Sequence, residues 1–287
     1  MRGYLATNAS PGKERWPRLK MMLGALIGYG FVLSFLTRMA VAGFPGIRHP
    51  TIYFKPDSFT DPAARRFAEL VVKGDITGAL RASKAVDDGV SAIAPDGVTA
   101  LLIAVNQENR AMVEALLRAG ADPNGGPTRA PLAQAISAGD LSIARLLLQA
   151  RADPNGCMGE ESALNNAAMM GKQDAIALLL EFHAQVNQAD GNRRFALLTA
   201  AATRNWSTVV YLLDHGASLW VTEELGITLA TWCEPDRPTD DSPQGRLRQQ
   251  VIDRLKAAGF PWPPPTRQEV QALRLEGKWP PAGVQAP

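Results

Sequence analysis

Residues 96–124, DGVTALLIAVNQENRAMVEALLRAGADPN, constrain the chain more than any other stretch. Asp96-Gly97 predicts a turn, and Thr99 stands where its hydroxyl caps the helix opened by Leu101. Leu101, Ala104 and Val105 share one face of that helix, and Val113, Leu116 and Leu117 share one face of a second. Gly120 predicts a left-handed stop, which glycine adopts without steric cost, and Asp122-Pro123-Asn124 turns the chain outward. Such a pair of helices has an apolar side it cannot bury alone, so the unit must recur.

It does recur. Ala130-Pro131-Leu132 restates the helix opening, and Leu147-Leu148 with Ala152-Asp153-Pro154-Asn155 restates the close. A third copy has Ala163-Leu164, Leu179-Leu180 and Ala184-Gln185-Val186-Asn187. A fourth has Ala196-Leu197, Leu212-Leu213 and Gly216-Ala217-Ser218-Leu219. The helix-opening leucines, 101, 132, 164 and 197, lie 31 to 33 residues apart. A period near 33 with a turn and two helices per unit resembles the ankyrin-repeat family, and the likeness runs from about Phe67 to Cys233. It implies an all-α ankyrin-repeat solenoid of helix-turn-helix units with short hairpin turns. It also implies a concave protein-binding face made by the turn tips and first helices.

The chain is 46% hydrophobic with 7% aromatic residues, as expected of a core built from Leu, Ala and Val. The net charge of +2 hides an uneven distribution. Residues 1–42 carry a local +5, which leaves the remainder at −3. A mildly acidic array is a poor nucleic-acid binder, and that class is rejected. The two cysteines, Cys157 and Cys233, fall in different repeats, too far apart for the geometry of a disulfide, and are read as unpaired thiols.

Residues 1–20 form a basic segment expected to stay in the cytoplasm, and 21–36 read MMLGALIGYGFVLSFL without a formal charge. A basic flank before an apolar run predicts export, with everything after residue 44 outside the cytoplasm. Ala40-Val41-Ala42 fits a cleavage site and a periplasmic product. A retained inner-membrane anchor over 21–44 fits the length of the run, an N-terminal hydrophobic helix crossing the membrane once. A linker over 45–60 is broken by Pro45, Pro50 and Pro56.

The array is expected over 61–258. Asp61-Pro62 opens a helical pair over 63–72 and 76–84 that lacks the usual opening and reads as an N-terminal cap. Arg151 and His183 occupy the slot of Gly120 and Gly216, so each must take the left-handed conformation or the turn must change. Strain of this kind, not ligation, accounts for His183. A helix over 246–258, with Leu247, Val251, Ile252 and Leu255 on one face, closes the stack. The extension 259–287 has a short helix near 268–276. Its Phe260, Trp262 and Trp279 either fold back on the last repeat or serve as a proline-rich ligand.

No nucleophile elbow, phosphate loop, HExxH or paired CxxC occurs, so no catalytic residue, cofactor, metal or small-molecule substrate is assigned. The partner-binding residues expected at the hairpin tips are Arg129, Glu161, Arg193, Arg194, Trp220 and Glu223. Large or charged residues stand there where the core makes no demand for them, with Trp220 as a central aromatic, either a partner anchor or a capping contact. Trp206 is placed in a loop at the opposite edge. With its N-terminal segment and the tail GFPWPPP and EGKWPPAG, the chain is similar to bacterial periplasmic ankyrin proteins that neutralise type VI-secreted lipase-like toxins as immunity partners. A second likeness is to periplasmic ankyrin scaffolds that tether or support an antioxidant enzyme.

Overall fold

The computed structural model describes residues 56–127, 129–233 and 241–282. The basic segment, the apolar run over 21–44 and most of the linker lie outside them. Among the described residues no helix is long and apolar enough to cross a membrane.

The architecture is a stack of helical pairs. The first pair is α1 (Pro62–Val72) and α2 (Ile76–Ala82), followed by α3 (Ala100–Asn106) and α4 (Arg110–Arg118). Next come α5 (Pro131–Ala138) with α6 (Leu141–Gln149), and α7 (Ala163–Met170) with α8 (Gln173–Glu181). Then follow α9 (Ala196–Ala202) with α10 (Trp206–Asp214), and α11 (Leu229–Trp232) with α12 (Pro243–Ala257). A last helix, α13 (Arg267–Leu275), follows the array. One hairpin is regular enough to form two short antiparallel strands, β1 (Cys157–Met158) and β2 (Glu161–Ser162), with Met158 opposite Glu161.

Most of these helices start where the sequence supplies a side-chain acceptor; those entered from Ala130, Lys172 and Phe195 have none. Thr99 accepts the Leu102 N–H at 3.1 Å, and Ser162 accepts that of Asn165 at 3.1 Å. Asn109, Asp140 and Asn205 cap the second helices in the same way. The first helices pack on one another from α1 through α11. The helix-opening Leu101, Leu132, Leu164 and Leu197 are all buried between neighbours, each burial stabilising by roughly 1.5–3 kcal/mol. Gly120 and Gly216 have φ near +90°, and Arg151 and His183 follow them into the left-handed region at +71° and +66°.

An asparagine ladder sets the repeat spacing. The side chains of Asn124, Asn155 and Asn187 accept the backbone N–H of Asp153, Gln185 and Ser218, each one repeat further on, at 2.7–2.8 Å. These bonds satisfy turn amides that no helix or strand can reach.

Three expectations need correction. Trp206 is the first residue of α10, not a loop residue, and it is buried, with its backbone N–H donated to Gln244 Oε1 at 3.0 Å. The core reaches back into the linker, because Phe59 is buried beside Phe67. The array also has a further unit: Thr228-Leu229 lies 32 residues after Ala196-Leu197, and Thr228 caps α11 through a reciprocal bond with Thr231. Its first helix is four residues long and its second is α12, so the stack-closing helix is the outer helix of an abbreviated repeat.

Candidate protein-binding edge

The hairpins project from one side of the stack and form a continuous edge. Isolated bridges Ile93–Thr99, Gly126–Arg129 and Thr222–Thr228 close individual hairpins, and Arg129–Met158 joins one hairpin to the next. The Gly191 N–H donates to Glu160 O at 2.8 Å and continues the link.

Side chains reinforce these links. Arg129 Nε donates to Asp96 O at 2.9 Å, tying the second hairpin to the first. Arg194 places Nε and Nη2 on Asp190 Oδ2 at 3.2 and 2.9 Å, and Nη2 lies 3.6 Å from Glu161 of the preceding hairpin. The Asp190 side chain is fully buried and also accepts the Arg194 backbone N–H at 2.9 Å. Arg193 pairs with Glu224 of the following hairpin. Of the six expected partner residues, Arg129 and Arg194 are therefore braces within the edge. Arg193 is exposed, and Glu161 and Glu223 are half-buried.

Trp220 departs most from expectation. It stands where the ladder would place its next asparagine, and it is only 7% exposed. Phe260 stacks on it with ring centroids 4.9 Å apart, and Trp279 meets it edge-on at 5.6 Å. Trp279 Nε1 donates to Trp220 O at 3.3 Å, so the tail docks on this turn by its own bond. Arg274 adds a bond to Glu223 O at 2.8 Å. Gly226, at φ +71°, lets α13 approach so closely that a Cβ there would stand 2.1 Å from Arg267 O. Trp220 is thus the seat of the tail, not a partner anchor. The missing asparagine at position 220 was the available signal.

Beside the hairpins, the third residue of each helix opening forms a row: Ile103, Gln134, Asn166, Thr199 and Thr231. It adjoins the half-exposed Asn106, Ser137, Met169 and Ala202 one turn on. Within and next to this row, Asn165 Oδ1, Asn166 Oδ1 and Thr199 Oγ1 are buried without a hydrogen-bond partner. Sequence reading did not single these residues out, although consecutive asparagines at positions held by Leu102 and Ile103 two repeats earlier were a visible anomaly.

Glu223 is held above the ordinary carboxylate range, chiefly by burial, with Arg194 pulling the other way and Asp190 adding to the rise. Burial pushes the Cys233 thiol up to about 12, and burial together with Asp190, Asp153 and Glu160 raises Cys157. Both thiols are unpaired. Arg248 pulls the Cys233 thiol the other way without offsetting burial, and the charges acting on Cys157 are acidic, so neither site favours a reactive thiolate. Among the described residues no group of His, Cys, Asp and Glu is placed to hold a metal ion.

A family model for ankyrin repeats matches residues 74–157 and 132–223. The chain belongs to the ankyrin-repeat family, whose members are protein-interaction modules. Among solved structures it is similar to an ankyrin repeat domain from Acinetobacter baumannii AYE, at 23% identity and a TM-score of 0.55. That match covers 66% of this chain and 97% of the other, a likeness of fold. Comparison with curated proteins gave no match.

Proposed function

We propose that the chain is a non-catalytic binding protein, exported through its N-terminal segment, whose repeats engage and neutralise a secreted toxin in the periplasm. The observation that carries the binding part is the continuous edge of hairpins beside a row of first-helix side chains, one extended surface built from several repeats. The export part rests on the basic residues before Met21 and the uncharged run after it. Neutralisation rests on the similarity of layout to periplasmic immunity proteins of type VI lipase-like effectors, and it needs no chemistry from this chain, only coverage of the toxin's active site. The partner-facing set is Glu161, Arg193 and Glu223, held in place by Arg129 and Arg194 and backed by Trp220 beneath the tail.

An alkaline phosphatase fused after Pro287 tests export, and an inactive fusion would rule it out. Cells producing the chain, challenged with a type VI lipase-like effector directed to the periplasm, are expected to survive where control cells lyse. Lysis despite exported, folded protein would reject neutralisation. Recovery of an antioxidant enzyme bound to the exported chain would favour the scaffold reading.

A further inference from the structure

The C-terminal ends of the first helices α5, α7 and α9 lie side by side. Lys172, just beyond α7, donates from Nζ to Ile136 O and Ser137 O of α5 at 3.2 Å. On the other side, Gly171 stands against Asn205 of the following repeat with no room for a Cβ. A pair of residues closes each helix next to the row described above: Ser137-Ala138, Met169-Met170 and Ala202-Thr203. Met170 is 39% exposed and the other five are half-exposed.

Two properties set this floor apart from the charged hairpin edge. None of the six residues carries a formal charge, the Lys172 ammonium beside them is held by the two carbonyls, and Thr203 turns its hydroxyl back onto Thr199 O and Ala200 O at 3.3 and 3.0 Å. The relief is also uneven, because two long thioether side chains stand between pairs of small residues that leave room on either side. The fold makes no demand for methionine here, since the same two positions hold Asn106-Gln107 in an earlier repeat and small residues in both neighbours. The exposed thioethers are apolar surface that gains stability once a partner removes it from water.

Resting on the protein-binding reading above, we propose that Met169 and Met170 form the seat for an aromatic side chain presented by the partner protein. A flat ring covers a large apolar area and fits beside a long side chain flanked by small ones. Thioether sulfur makes favourable contacts with aromatic rings, and the unbranched methionine chain adjusts to the ring it meets. A charged side chain would give up its water here without gaining a partner. The charged hairpin edge then forms the polar rim of this contact.

The test uses the purified full chain in a zwitterionic detergent, with isotope-labelled methionine methyl groups. Their chemical shifts are followed while N-acetyl-tyrosinamide is added, with the leucine and lysine counterparts in parallel and detergent alone as the partition blank. Saturable upfield shifts are expected at Met169 and Met170, with Met158 on the hairpin edge unmoved. Leucine should bind about fivefold more weakly, and lysine more weakly still. Met170→Ala should weaken tyrosine binding to a similar extent, read on Met169, and Met169→Ala serves if that variant does not fold. Leu275→Ala on the tail should leave binding unchanged. The absence of saturable shifts, shifts of equal size at Met158, leucine binding as tight as tyrosine, or indifference to both alanine variants would overturn the assignment. These measurements depend on neither export nor toxin, so failure here leaves the immunity reading standing, and the survival assay can fail while aromatic binding holds.

Discussion

The two long edges of the array use charge differently. On the outer edge, Arg145 pairs with Glu181 at 2.7 Å, and Arg110 and Arg118 flank Glu114 along one helix. Their arginines are exposed, and so is Glu181, so water competes for these bonds. On the hairpin edge the Asp190 side chain is wholly buried and Arg194, a fifth exposed, both pairs with it and reaches Glu161 of the preceding repeat. The same residue types therefore decorate one edge and brace the other. Burial is what separates them, because the attraction between two charges grows as solvent is excluded.

The tail gives the largest expected effect. Trp220→Ala removes a ring that touches Phe260 and Trp279, and it should destabilise the array by about 3–5 kcal/mol, read by denaturant unfolding. A loss as small as that of an exposed residue would mean the tail does not seal the hairpin edge. Next comes Asp190→Ala. It leaves Arg194 partly buried without the carboxylate that its fork meets, and it should cost about 2–3 kcal/mol, less than a fully buried pair because Arg194 retains some water. A neutral outcome in the same unfolding assay would place the two edges on equal terms.

A smaller effect comes from Glu223, with a defined pH dependence. Its carboxyl is raised in the folded chain, so the neutral form is the one the fold favours. Its contribution is fully present below the ordinary value of 4.5 and is lost as pH rises through the folded pKa. Glu223→Gln should accordingly raise the melting temperature near neutral pH and leave it unchanged below 4.5. A shift of equal size at both pH values would assign the effect to packing. The smallest change is expected on the outer edge, where Arg145→Ala should leave the melting temperature within experimental error. A clear loss there would show that exposed pairs also bind the repeats together.

Most of the stack was legible because its signals are local. Thr99 capping the helix that Leu101 opens, and Gly120 ending its partner, are events within a few residues. The spacing of Leu101, Leu132, Leu164 and Leu197 then repeats them. The left-handed turns at Arg151 and His183 were legible for the same reason. The abbreviated last repeat was harder, since α11 keeps Thr228 and Leu229 but lacks the usual second turn of apolar residues.

By itself the sequence determined the period, the order of the helices and the faces they bury, because hydrophobic spacing and capping act over a turn or two of chain. Only the tertiary structure decided which hairpin residues face outward. Arg194 meets Glu161 from 33 residues away, and Trp279 covers Trp220 from 59. No local pattern records such meetings. The stacking of repeats makes an arginine at a turn a brace, and the return of the tail makes a tryptophan at a turn part of the core.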